Sequence, residues 1–206
     1  MLVDIRDDVA VEKAVQQVAD RFVGIDIYIN NASAISLTDT DNTPLKRFDL
    51  MMGINTRGTY ATTRACLPWL KKSDHAHVLN ISPPLNMNPH WFEKHVAYTM
   101  AKYGMSMCVL GHAGEFKKYG IAVNALWPRT SIATAALQVL EDYDPSRSRT
   151  PKIMSDAALE VLTALPSERT GQFLIDDDVL AAAGVTDFER YRVAPGGELD
   201  IDFFLD

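Results

Sequence analysis

The chain has 206 residues, 47% of them hydrophobic and 23% charged, which suits one sizeable soluble domain with a real core. A formal charge of −7, with no basic run longer than Lys71-Lys72 or Lys117-Lys118, argues against a nucleic-acid partner. No stretch of about 18 apolar residues exists to span a membrane, and the N-terminus does not read as a secretory signal.

Apolar residues then alternate between helical and strand spacing along the chain. Residues 9–22 repeat them at three- and four-residue steps (Val11, Ala14, Val15, Val18, Phe22), the pattern of an amphipathic helix. Residues 25–29 form a short apolar strand. A long helix is expected over 45–70, opening after Thr43-Pro44 as cap and first-turn proline. A strand over 76–81 and a second long helix over 96–117 follow. Then come a strand at 121–126, a helix at 155–164 with Ser155 as its cap, and a last strand at 172–175. Residues 142–152, rich in Asp, Pro, Ser and Arg, read as a loop. Cys66 and Cys108 fall inside the helical patterns as free thiols, and two cysteines without framework spacing suit a reducing compartment. Short apolar strands separated by helices imply an α/β fold of the Rossmann-like kind, a doubly wound parallel sheet covered on both faces.

Tyr98 and Lys102 are the residues richest in chemistry. Four apart on a helix, they project from one face. Bringing a phenol from its usual pKa of about 10 to neutrality costs about 4 kcal/mol. A cation about 4 Å away, at an effective dielectric of about 20, supplies about that much. The pair can therefore serve as an acid/base couple; the competing reading is an ordinary solvated helix pair.

The companions of that pair, in order, are Asn30-Asn31-Ala32-Ser33 after a strand, Asn55 within the first long helix, Ser82 after the next strand, and Asn124 to Pro128. In this order they resemble the short-chain dehydrogenase/reductase superfamily, and within it a hydroxysteroid dehydrogenase-like branch. The stretches NNASAISL, MMGINTRGTY, NISPPLN, AYTMAKYGMSM, AVNALWP and DFFLD carry that likeness, which covers nearly the whole chain. The resemblance implies hydride transfer between NAD or NADP and a carbonyl or alcohol. Tyr98 is then the proton donor or acceptor, and Lys102 both lowers the phenol pKa and hydrogen-bonds the nicotinamide ribose. Asn55 holds a water that relays protons from Lys102, against the plainer reading of an amide satisfied by nearby backbone. Ser82 would orient the carbonyl, although the family places that hydroxyl three residues after the strand-ending Asn80, where Pro83 stands without a donor. Asp4 would meet the adenine ring, and Asn31 and Ala32 the adenine ribose. Ile132 and Thr134, in a motif shifted by one residue, would meet the nicotinamide carboxamide. Asn30 would tie neighbouring strands together.

Met87, Trp91, Phe92, Leu137 and Leu140 offer apolar surface for a lipid-like or steroid-like small molecule, or else are packing residues. His90 and His95 lack metal-ligand spacing, so no metal is expected. The resemblance further implies a homo-oligomer paired through the helices that carry Asn55 and Tyr98. Location within the cell reads as soluble and intracellular, with cytoplasm, peroxisome and mitochondrion all open.

The family opens with a strand, a glycine-rich turn and a helix that receives the cofactor pyrophosphate. The sequence reads instead as one N-terminally truncated domain, with the first two βα units absent and Leu2 to Ile5 corresponding to the third strand. The alternative to an enzyme is therefore a non-catalytic isoform or fragment that keeps the Tyr/Lys site, cannot bind cofactor and acts as an interaction partner.

Overall fold

The computed structural model describes residues 1–138 and 143–205. Four strands, β1 (Ile27–Asn30), β2 (His77–Ile81), β3 (Ala122–Trp127) and β4 (Phe173–Ile175), form one sheet in the order β1-β2-β3-β4. Every pairing is parallel, with Ile27 opposite His77, His77 opposite Ala122 and Ala125 opposite Phe173. Parallel neighbours need crossovers, and helices supply them: α1 (Asp8–Phe22), α2 (Leu45–Met51), α3 (Thr59–Leu70), α4 (His90–Glu93), α5 (Val96–Phe116), α6 (Lys152–Thr163) and α7 (Asp176–Ala182).

The strand alternation sorts side chains to two faces. Val78, Val123 and Ala125 join Cys66, Leu70, Val109 and Phe116 beneath α1, α3 and α5. Leu79 and Leu126 join Ile153, Val161 and Leu180 beneath α6 and α7. A third cluster, with Tyr98, Ala101, Tyr103, Trp127 and Phe204, sits at the C-terminal ends of the strands. Both cysteines are free; Cys66 is buried, and burial pushes its thiol up to about 12.

The helices follow local chemistry. Asp7 caps α1 by accepting from the Ala10 N–H at 3.0 Å. The long helix expected over 45–70 is interrupted by a π-helical turn, Met52–Gly58, that carries Asn55. This turn lies close against α5: a Cβ on Gly104 would stand 2.1 Å from Thr56 Oγ1, so no larger residue fits there. Thr56 Oγ1 also donates to the Ala101 carbonyl at 3.1 Å.

Two expectations need correction. Ser155 does not cap α6, which begins at Lys152 after Pro151; its hydroxyl donates back to the Lys152 carbonyl at 2.9 Å from inside the helix. Residues 2–5 belong to no strand, and Leu2 is fully exposed. A strand needs a neighbour for its backbone groups, and the outer edge of β1 pairs with nothing among the described residues. Leu140 and Asp206 lie outside the described residues.

Candidate active site

At the C-terminal ends of the parallel strands a cleft of about 590 Å³ opens, within the usual size range for a small-molecule site. Its walls come from every layer. Asn31 and Ser33 line it from the segment after β1, Ile81 from β2, and Tyr98 and Lys102 from α5. Trp127 and Pro128 end β3, Ile132 and Thr134 follow, Met154 and Ser155 come from α6, and Asp202 and Phe203 close one side.

Tyr98 and Lys102 are each only 4% exposed. The Lys102 ammonium donates to the Ile81 carbonyl at 3.1 Å and lies 5.1 Å from the centre of the Trp127 ring. Burial lowers its pKa to about 8, and the Asp202 carboxylate opposes that fall. The Tyr98 phenol moves the other way from the sequence-based expectation. Burial raises its pKa and the Asp202 charge raises it further, while the Lys102 ammonium donates to the Ile81 carbonyl. In this dry setting desolvation exceeds the attraction of one neighbouring cation, so the phenol holds its proton.

Asn55 is fully buried but reaches no part of the cleft wall. Its Oδ1 accepts from the Ala34 N–H at 2.7 Å and its Nδ2 donates to the Ala34 carbonyl at 2.9 Å. Both ends of the amide are thus held by backbone, and its role here is to fix the segment that presents Asn31 and Ser33. Ser82 is also fully buried and off the cleft wall, with no hydrogen-bond partner for its Oγ among the described residues. The stiff Pro83-Pro84 that follows is pinned to α5, where the Ser106 hydroxyl donates to the Pro83 carbonyl at 2.6 Å. Ser82 is therefore not part of the cleft wall among the described residues.

Of the cofactor residues expected from sequence, Asn31, Ile132 and Thr134 line the cleft together with Tyr98 and Lys102, whereas Asp4 and Ala32 do not. Asp4 is exposed and paired with Arg6, whose guanidinium holds its carboxyl down at about 2. Asn30 ties the strands: its Nδ2 donates to Asn80 Oδ1 at 2.7 Å and its Oδ1 accepts from the Thr62 hydroxyl at 2.9 Å. Leu137 reaches the cleft, but Met87 is exposed and Trp91 and Phe92 pack instead against Phe204 and Tyr103 at ring separations of 5.6 and 5.5 Å.

No spacing or motif in the sequence points to Asp202. The available signal was an acid inside the otherwise apolar DFFLD, an arrangement that costs energy unless the carboxyl has a use. Burial pushes its pKa up to about 7, against the pull of the Phe203 N–H and of Lys102.

A protein-family profile described as Enoyl-(Acyl carrier protein) reductase matches residues 1–174. The chain belongs to the short-chain dehydrogenase/reductase family, an oxidoreductase family, and its parallel sheet with flanking helices is that family's Rossmann-like fold. It is 56% identical over 206 residues to hydroxysteroid dehydrogenase-like protein 2 of Xenopus tropicalis, covering 100% of this chain and 49% of that protein. The human protein of that name is 54% identical, again over 100% of this chain and 49% of its own length. The chain thus spans about half the length of the curated relatives it matches. Among solved structures, a dehydrogenase from Xanthomonas campestris superposes with a TM-score of 0.96 at 50% identity, covering 98% of this chain and 75% of that one. A short-chain dehydrogenase from Mycobacterium thermoresistibile gives 0.93 at 48%, covering 100% and 73%.

The family implies a nicotinamide cofactor, and the cleft residues suit one end of it. A buried ammonium, an amide at Asn31 and the Ile132 to Thr134 segment converge on a cleft whose floor is apolar. These are groups a ribose and a flat carboxamide ring can use. A glycine-rich turn between a strand and a helix, the usual cradle for a pyrophosphate, is not among the 206 residues.

Proposed function

We propose that this chain carries the catalytic part of an oxidoreductase that interconverts a carbonyl and an alcohol of a lipid-like or steroid-like molecule, with NAD or NADP as partner. The observation that carries the reading is the joint presence of Tyr98 and Lys102 in one water-poor cleft at the C-terminal ends of a parallel sheet. The cofactor, when bound, supplies or takes the hydride at the substrate carbon. Tyr98, protonated because it is buried, gives its proton to the carbonyl oxygen during reduction and takes it back during oxidation. Lys102 holds the cofactor ribose and, through the Ile81 carbonyl, keeps its ammonium on the cleft wall. Asn31, Ile132 and Thr134 bind the nicotinamide end. Asp4 and Ala32 are assigned no role in this cleft.

The apolar wall from Ile35, Met154, Leu137 and Phe203 supports a largely hydrophobic substrate. The competing reading, a non-catalytic interaction module, draws no support from the likeness to dehydrogenases over the whole chain. Cofactor titration of the full-length protein, followed by assay with long-chain and steroid ketones, tests the proposal. Nicotinamide-linked reduction of one of these is expected; failure to bind either NADH or NADPH would contradict it.

We also infer that residues 1–206 act as one domain and that the helices α3 and α5 pair with a second copy, which would cover Tyr60, Met100, Met107 and Leu110, exposed by 55, 44, 58 and 51%. Light scattering on the full-length protein should give a dimer or larger; a monomer would rule that pairing out.

A further inference from the structure

The cleft has a proton donor in Tyr98, but Ser82, the hydroxyl expected to orient a carbonyl beside it, is buried away from the wall. We propose that the carboxyl of Asp202 fills that place, so that Asp202 and Tyr98 together hydrogen-bond the substrate oxygen. The inference rests on the carbonyl/alcohol reading above and adds a second catalytic residue to it.

Three observations lead there. The first is position: Asp202 lines the cleft together with Tyr98 and Lys102, and apart from those two it is the one titratable side chain in the lining among the described residues. The second is rigidity. The segment that carries Asp202 is fixed on both sides: its own N–H donates to the Arg129 carbonyl at 3.0 Å, and the Ser131 N–H donates to the Asp200 carbonyl at 2.8 Å. Thr130 and Ile201 form an antiparallel bridge, and the Trp127 indole donates to the Phe203 carbonyl at 2.9 Å. Phe204, 1% exposed, packs 6.2 Å from the Tyr98 ring. A carboxyl held this way is pre-organised, as a group that stabilises developing charge must be. The third is its hydrogen bonding. Oδ1 accepts from the Phe203 N–H at 2.7 Å, which leaves Oδ2 to carry the proton and donate it.

The protonation state agrees. Burial pushes the Asp202 carboxyl up to about 7, so near neutrality a large share of it is the neutral acid. The groups that face it are Lys102 and Tyr98 on α5, and Asp176 at the start of α7, which raises it further. His95 meets the neighbouring Phe203 edge-on at 5.3 Å, and burial lowers its own pKa. Arg129 offers only its carbonyl, because its guanidinium is engaged by Asp177 and Asp178 at 2.7 Å each. A neutral acid beside a neutral phenol forms a two-donor grip on an oxygen that gains negative charge. In reduction the Tyr98 proton passes to that oxygen as the hydride forms the new C–H bond, while Asp202 keeps its proton.

The test uses the full-length protein, a long-chain methyl ketone isotope-labelled at the carbonyl, and reduced cofactor. Asp202→Leu should lower kcat by about 10²- to 10³-fold, the usual cost of one such donor. Asp202→Asn, which keeps a donor that does not titrate, should stay within about tenfold of wild type. It should also lose the fall in kcat that wild type shows as pH rises through about 7. The infrared stretch of the bound ketone, read with oxidised cofactor so that no turnover occurs, should lie higher in Asp202→Leu than in wild type. Wild-type kcat in Asp202→Leu, or an unchanged stretch, overturns the assignment. A shifted stretch in a protein that reduces no ketone would retain the Asp202 contact and remove the oxidoreductase reading, so the two claims fail separately.

Discussion

An inner strand and an edge strand of the sheet differ more than their sequences suggest. β3 is buried along its whole length, whereas in β1 only Asn30 is buried and Ile27 and Ile29 are each 42% exposed. The helix over that edge shows the same asymmetry: α1 buries Val11 and Ala19 but leaves Val9 and Phe22 exposed by 76 and 69%. At the C-terminal ends of the strands, Asp202 to Leu205 folds back and completes the wall around Tyr98. The lesson is that catalytic geometry and structural completeness reside in different places. The cleft end is packed and dry, while the β1 edge is apolar and open, the kind of edge that proteins usually cover.

That contrast can be broken by mutation. The largest effect should come from the packed end: Phe204→Ala, at a fully buried ring among Tyr98, Tyr103 and Trp127, should cost about 3–5 kcal/mol in denaturant unfolding. Gly104→Val should also be severe, because its added carbons meet Thr56 at the close approach of α5 to the π-helical turn, at an overpacking cost of about 1–3 kcal/mol or more. Ile29→Ala on the open edge should cost well under either, about 1 kcal/mol or less. If it matched Phe204→Ala, the edge would be covered in solution by something outside these 206 residues. Arg147→Ala, which removes an exposed pair with Asp200 at 2.5 Å, should change stability by less than about 1 kcal/mol.

The cleft should also give stability a characteristic dependence on pH. Asp202 rises from 3.8 to about 7 on folding, so the folded chain keeps a proton that the unfolded chain releases. Its contribution is complete at acid pH and is lost as pH climbs through about 7. Lys102 falls from 10.5 to about 8, so its contribution is present above 10.5 and is lost as pH drops through about 8. The difference in melting temperature between wild type and Asp202→Asn should therefore fall as pH rises to about 7. The slopes from Asp176, which burial raises to about 6, and from His77, His95 and His112, which burial lowers, remain in both proteins. An unchanged slope in that variant would show that Asp202 ionises as it does in water.

Much of this architecture could be read from the residues. The apolar steps in α1, the length of α5 and the four short strands follow from spacing alone, and each falls within a residue or two of its expected limits. Tyr98 and Lys102 were placed together by their four-residue separation. What spacing alone leaves open has a common cause: it depends on what lies across space. The direction of the Tyr98 shift needs the depth of burial, which no local pattern encodes. The Ala34 backbone that holds both ends of the Asn55 amide is 21 residues away in sequence. The π-helical turn reflects the approach of α5 at Gly104, and the third strand failed to form because residues 2–5 have no strand beside them. Asp202 carries no local spacing signal because its partners sit on α5, about a hundred positions earlier.

The central claim is that Tyr98 moves the proton in this cleft, and the most direct measurement is ketone reduction by full-length Tyr98→Phe protein alongside its affinity for reduced cofactor. The account predicts a fall in kcat of about 10⁴-fold, near the top of what one positioned acid contributes, with cofactor affinity unchanged. Turnover at the wild-type rate in that variant would contradict it.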